Sequence, residues 1–278
     1  MPEIILIIVQ EFANRTRVFH HMPATATQPD LIISLSQDKV RLKLVEDPQS
    51  GRTAWETSFD VDHIFLEDQI SSSLDRIMLE NPVLIDDFPC VEIIMLDRPN
   101  ICVSGQYQDE GQLGQIASRH LRKRIGDTLA SDPSENNAVI CYTVPTGTLT
   151  MLKEYYANAG CCHLASVLWH ALSKNNDPSE KSATRLYFTI LDNMLVLTGQ
   201  QSNKLVFSKI ITLQDQADLF YYMIACSRLL KADEHWLVNI RNEEAAFELP
   251  GDSILKIDQK IDLASLPELM SQYNVCEL

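Results

Sequence analysis

The stretch Leu31-Ile32-Ile33-Ser34-Leu35-Ser36-Gln37-Asp38-Lys39-Val40-Arg41-Leu42-Lys43-Leu44-Val45 decides the fold. Leu31 to Ser36 is apolar enough for a buried strand. Val40 to Val45 alternates apolar and basic residues, the period of a half-buried strand. Only Gln37-Asp38-Lys39 separates them, so they pair as a hairpin. Trp55 to Val61 reads as a third strand, after a turn carrying Pro48 and Gly51. Asp62 is placed to cap a helix that turns Leu66, Ile70, Leu74, Ile77 and Met78 to one side and stops at Pro82. Val91 to Leu96 is a further strand.

The same order returns later in the chain. Leu186 to Ile190, the turn Asp192-Asn193 and Met194 to Thr198 form a second hairpin. Leu205 to Ile211 is its third strand, Gln216 to Lys231 its helix and Trp236 to Ile240 its fourth strand. Asp38 and Asp192 thereby occupy equivalent turns. Each half is too long for a solenoid unit, so the pattern predicts a duplicated βββαβα domain.

Between the halves, Ile101-Cys102-Val103 and Asn137 to Val144 read as strands, residues 110–125 as a helix, and Leu149 to Asn158 as a helix capped by Gly160. Cys161 to Ser166 is a short strand and Val167 to Ser173 a helix. The polar run Lys174 to Lys181 around Pro178 is a linker. The predicted organisation is an extension over 1–30, domains over 31–175 and 185–278, and a linker over 176–184.

Composition narrows the function. The 278 residues carry a formal charge of −15, and 45% are hydrophobic, which excludes a disordered chain. A pI near 4.8 argues against a broad nucleic-acid or anionic-membrane footprint. There are 9 glycines, where average usage would give roughly 19, which disfavours Gly-rich phosphate loops. The 7 cysteines include no C-x-x-C pair and read as free thiols in a reducing cytoplasm. Ile4 to Val9 is too short to span a bilayer, so no membrane insertion is expected.

The paired hairpins resemble the actin, Hsp70 and sugar-kinase superfamily, in which two related ribonuclease H-like domains hold a nucleotide between their first hairpins. Tyr142-Thr143-Val144-Pro145, followed by a helix and then Ala159-Gly160 and Cys161 to Ser166, looks like the end of the first domain in its cell-division and pilus-assembly members. More narrowly, Leu31 to Val45 and Arg185 to Lys231, with the helix start Asp218-Leu219-Phe220-Tyr221-Tyr222, resemble a bacterial family of unknown function with an actin-like ATPase fold. The resemblance implies a mixed α/β architecture of two such domains around a cleft.

It also implies where a nucleotide site should be, and this sequence departs there. Active members carry an Asp-x-Gly type turn in each phosphate hairpin, and small residues let backbone N–H groups reach phosphate. Here the turns read Ser36-Gln37-Asp38-Lys39 and Leu191-Asp192-Asn193-Met194, without glycine. The adenosine Gly-Gly turn has no counterpart; Gly111 and Gly114 are the nearest pair and lie in a helix-like segment. A non-catalytic protein that binds a protein partner or its own copies is therefore expected, with no cofactor, no metal, no nucleic acid and a degenerate nucleotide site. The alternative is an ATP/Mg-dependent ATPase or kinase using Ser36, Asp38, Asp192, Thr146 and Gly147.

Each candidate also has a plainer reading. Asp38 and Asp192 are ordinary turn residues as well as metal candidates. Thr146-Gly147-Thr148 starts a helix and suits capping as well as anion binding. Cys161 and Cys162 would point to opposite faces of a strand, so with His163 and His170 they make a poor zinc or nucleophile set. Arg119, Arg122, Lys123 and Arg124 read as the solvated end of a helix or as a docking patch for an acidic partner. The apolar helix from Gln216 reads as central, with an interface as the other possibility.

Overall fold

The computed structural model describes residues 30–36, 39–47, 52–60, 66–85, 88–107, 109–134, 138–174, 183–241, 243, 245–247 and 255–273. The expected extension up to residue 29, the Asp38 position, the Asp62 cap and residues 175–182 of the linker lie outside them.

The first hairpin pairs Asp30–Leu35 (β1) with Lys39–Asp47 (β2) antiparallel, Leu35 opposite Val40 and Leu31 opposite Leu44. Arg52–Asp60 (β3) pairs antiparallel with β2 at the sheet edge. A helix, Leu66–Glu80 (α1), crosses to Val91–Met95 (β4), which lies parallel to β1. Gly160–His163 (β8) completes the first sheet, in the order β3-β2-β1-β4-β8. In the second half, Thr184–Leu191 (β9), Met194–Gln201 (β10) and Lys204–Thr212 (β11) form the meander, and Gln216–Leu230 (α5) leads to Glu234–Ile240 (β12). Gln259–Leu263 (β13) then lies parallel to β12, giving β11-β10-β9-β12-β13. The two five-stranded sheets have one strand order.

A small third sheet comes from the middle of the chain: Asn100–Ser104 (β5), Asp127–Ser134 (β6) and Ala138–Pro145 (β7), in the order β5-β7-β6. Strand β6 has no sequence signature, because DTLASDPS is polar and its Pro133 suits only a sheet edge. Asn100 ties this sheet to the edge strand β11. Its Nδ2 donates to Ser208 Oγ at 2.9 Å, and its Oδ1 accepts from Ile210 N at 3.1 Å.

Four helix expectations are corrected. The helix expected over 110–125 is Glu110–His120 (α2), because Leu121 turns extended and is buried. Arg122, Lys123 and Arg124 therefore lie in the turn beyond it. The next helix is Thr146–Tyr155 (α3), and Gly160 opens β8 instead of capping it. The following helix begins at Leu164, not Val167 (Leu164–Lys174, α4). That helix, rather than α5, is the central one: Leu164, Ala165, Val167, Leu168, Trp169, Ala171 and Leu172 are all buried. Helix α5 buries only Leu219, Met223 and Cys226, against Leu186, Phe188, Leu195 and Leu197, while Tyr221 and Leu229 are 65% and 72% exposed. An apolar composition shows how much of a helix can be buried; the surrounding elements decide how much is.

The chain closes with Leu266–Tyr273 (α6). Ser265 N and Oγ both donate to Glu268 Oε2, at 2.8 and 2.7 Å, so the Glu268 carboxylate reaches back to the start of the helix, an arrangement legible in Ser265-Leu266-Pro267-Glu268. One continuous apolar core joins β1, β4, β7, α4, β9, β10, β12 and α6. Cys102, Cys141, Cys161, Cys162 and Cys226 are free, as expected. Cys90 is not; it is disulfide-bonded. Pairing depends on approach in the fold, which spacing along the chain does not reveal.

Candidate functional site: a cleft between the hairpin turns

The equivalent ends of the two sheets face one another across a cleft of ≈ 540 Å³. The β1–β2 hairpin contributes Ser36, Lys39 and Arg41, and the β9–β10 turn contributes Asp192, Asn193 and Met194. Leu96 and Asp97 after β4, Thr212 to Gln214 at the end of β11, and Ala245 and Ala246 also line it.

The turns are held by their own hydrogen bonds. Ser36 Oγ donates to Lys39 O and accepts from Lys39 N, both at 2.9 Å, so the hydroxyl closes its own turn. Asp192 adopts a left-handed backbone (φ 49°), which Asp tolerates better than most residues. Its carbonyl accepts from Ala246 N at 2.8 Å, and the Asn193 carbonyl accepts from Leu213 N at 2.7 Å.

Strand β2 alternates, and its register fixes which residues meet the second half. Val40, Leu42 and Leu44 enter the core, so Arg41 and Lys43 share the opposite face. Arg41 Nη2 pairs with the Asp192 carboxylate, and Nη1 donates to Glu243 Oε2 at 3.2 Å. Lys43 Nζ lies 3.7 Å from Glu243 Oε1 and 3.3 Å from Glu56 Oε1. The Glu243 side chain is only 6% exposed. Burial pushes its carboxyl pKa upward, and Lys43 and then Arg41 oppose that rise. The wall of the cleft is thus a partly buried ion cluster joining the two sheets. Chemically, one oxygen of the Asp192 carboxylate already pairs with a guanidinium, so a divalent cation there would share the carboxylate with Arg41.

The structure brings together only part of the expected site. Ser36 and Asp192 both line the cleft. Thr146 and Gly147 do not: they begin α3, where Thr146 Oγ1 hydrogen-bonds Thr128 Oγ1 and Pro145 is a cap without a side-chain bond. Thr148 is buried, and neither threonine caps the helix through its hydroxyl. Gly111 and Gly114 lie within α2, as their helix-like context suggested. Sequence reasoning missed Glu243 and Asp97. The available signal was Arg41 and Lys43 themselves, since two cations on one face of an interior strand require counter-charges.

The Cys/His segment is built into the core. His163 is fully buried; its Nε2 donates to Arg98 O at 2.9 Å, its Nδ1 accepts from Ala165 N at 3.1 Å, and burial lowers its pKa to about 4. Asp132, unflagged by the sequence, accepts from Tyr142 Oη at 2.9 Å, His163 N at 2.8 Å and Ser166 Oγ at 2.6 Å. Burial raises its pKa to about 6 against those three bonds. Burial also pushes the thiols of Cys161 and Cys162 upward, the reverse of what a nucleophile needs. No His/Cys/Asp/Glu grouping suited to a metal occurs among the described residues.

Two sheets of one strand order, joined at a cleft between their first hairpins, define an actin-like ATPase fold. A solved structure of that fold and unknown function from Bacteroides thetaiotaomicron VPI-5482 superposes with TM-score 0.70 at 16% identity, covering 91% of this chain and 98% of its own. The cytoplasmic domain of EpsL, an inner membrane component of the Vibrio cholerae type II secretion system, gives TM-score 0.51 at 12% identity over 88% of this chain and 94% of that one. A PilM–PilN type IV pilus biogenesis complex is more distant, at TM-score 0.47 and 11% identity, over 88% of this chain and 89% of that one. No curated protein matches the chain. The chain belongs to the family described as Protein of unknown function (DUF3822), whose model matches residues 20–238.

Proposed function

We propose that this protein is a non-catalytic member of the actin-like fold class that works by binding, to a protein partner or to further copies of itself, and whose nucleotide site is degenerate. The observation that carries this is the Arg41 pairing with Asp192 and Glu243 across the cleft. It supplies internally the positive charge that Mg²⁺ supplies in a phosphate site, and it engages the carboxylate such a metal would use. The hydroxyl of Ser36 is engaged in the same way within its own turn. The exposed Tyr221 and Leu229 on α5 give an apolar surface for association.

Isothermal calorimetry with Mg-ATP, Mg-ADP and Mg-GTP at millimolar concentration tests this reading. The expected result is no binding heat, together with concentration-dependent mass in sedimentation velocity or a partner retained on purification. Phosphate release that disappears in Asp192→Ala would overturn it.

The second reading is a nucleotide-dependent ATPase or kinase with unconventional phosphate turns. The cleft volume of ≈ 540 Å³ and the presence of Lys39 and Asp97 in its wall favour it. A cytoplasmic location is proposed from the five free thiols, and the Cys90 disulfide is the observation against it. No described helix is long and apolar enough to cross a membrane.

A further inference from the structure

We infer that the turn after α2 is a docking site for an acidic, leucine-bearing segment of a partner protein; this rests on the binding reading above and names the chemistry of its partner. Arg119, His120, Arg122, Lys123 and Arg124 fall within six residues and are all exposed, in a chain whose formal charge is −15. None of the four Arg and Lys side chains has an ion pair among the described residues, although acids are abundant elsewhere. The carboxylate that follows them in sequence, Asp127, is buried: its Oδ2 accepts from Arg124 N at 3.2 Å, and its Oδ1 lies 4.0 Å from Arg98 Nη1.

Amid these cations stands Ile125, 100% exposed. It sits at the apex of a tight turn. Asp127 N donates to Arg124 O at 3.2 Å, and Gly126 has φ 90°, the pattern of a type II turn with glycine at its third position. The Asp127 side chain braces the same turn from within, so the apex is held in place before any partner arrives. An isoleucine presented on a braced turn, next in sequence to exposed cations that have no ion pair among the described residues, offers an apolar anchor and charge complementarity together.

The choice of a narrow protein segment over a membrane follows from the charge balance. A planar anionic surface would face the strongly acidic remainder of the molecule as well as the patch. A single extended segment meets only what lies within the roughly 8 Å screening length of physiological salt. Three of the four cations are arginines, whose planar forks suit carboxylate pairs.

The test is fluorescence anisotropy of the full chain with a fluorescein-labelled Glu-Glu-Leu-Glu-Asp-Leu-Glu-Asp peptide. The double variant Arg122→Glu/Arg124→Glu is expected to weaken binding about tenfold or more. Ile125→Ser is expected to weaken it several-fold with every charge retained. All three positions are exposed, so unchanged thermal unfolding confirms that the fold is intact. Equal affinity for the wild type and the double variant would overturn the proposal. So would sedimentation with phosphatidylserine-containing vesicles in the absence of peptide binding, which would assign the turn to lipid. Nucleotide turnover would sink the binding reading of the protein and leave this measurement standing.

Discussion

The two hairpins occupy the same place in the same strand order, yet one is charged where the other is apolar. Aligned through their turns, Val40 matches Met194, Arg41 matches Leu195 and Lys43 matches Leu197. Leu195 and Leu197 lie fully buried beneath α5. Arg41 and Lys43 instead reach Glu243, and Arg41 also reaches Asp192 on the opposite turn. The shared frame therefore sets where strands lie, while the face chemistry sets what they do. The second sheet closes its own core on this face. The first sheet uses the same positions to bind the other half, at the wall of the cleft.

Truncating both sides of that match should give the largest effects. Leu195→Ala removes a fully buried side chain and is expected to cost about 3 kcal/mol, read from urea midpoints. Arg41→Ala leaves Glu243 buried with only Lys43 beside it; about 2 kcal/mol is expected, after allowing for the partial exposure of Arg41. If Arg41→Ala cost nothing, the cluster would be ornamental and the contrast between the halves would fail. Arg41→Met, an apolar side chain of similar length, should recover part of the loss if the cluster is desolvated.

A pH series sharpens the contrast from another direction. The Asp132 pKa is raised to about 6 in the folded protein, chiefly by burial. Between its ordinary value and about 6 the native state holds a proton that the unfolded chain has released. Its contribution to stability is then greatest at low pH and falls as pH rises through that window. The wild type should lose stability relative to Asp132→Asn from pH 4 to 6.5, by on the order of 2 kcal/mol. A flat difference would show that Tyr142, His163 and Ser166 compensate burial fully.

The smallest expected effect concerns close packing in the second sheet. A Cβ on Gly199 would lie 2.8 Å from Leu230 Cδ1 and 2.9 Å from Phe207 Cβ. Gly199→Ala should cost at least about 1 kcal/mol: the Leu230 end can shift aside, whereas the Phe207 Cβ is fixed to β11 and leaves a residual clash. A larger loss would mean that α5 is held more rigidly than its exposed flank suggests.

Much of this frame is legible in the sequence, because strand period and helix face are local properties. Both meanders, the β1–β2 alternation and the Asp192 turn follow from neighbours within a few residues. The missed elements have weak local signals: β6 is polar and carries Pro133, and β13 is a short strand, Gln-Lys-Ile-Asp-Leu. The candidate site was half legible. The absence of glycine at both turns is visible in the chain, but the partner of Arg41 is not, since Glu243 is more than two hundred positions away in sequence. Asp132 was hidden for a similar reason: its partners come from β7 and from the junction of β8 with α4. That Thr146 lies away from the cleft is not legible, because a strand-to-helix turn gives no direction in space.

Helix α4 carries a consequence for dividing the molecule. Trp169 and its neighbours are covered by elements from both halves, within one uninterrupted core. A fragment ending at residue 174 would expose an indole and several leucines to water. Each half is thus the other's solvent shield, and amide exchange along α4 should proceed only when the entire chain unfolds.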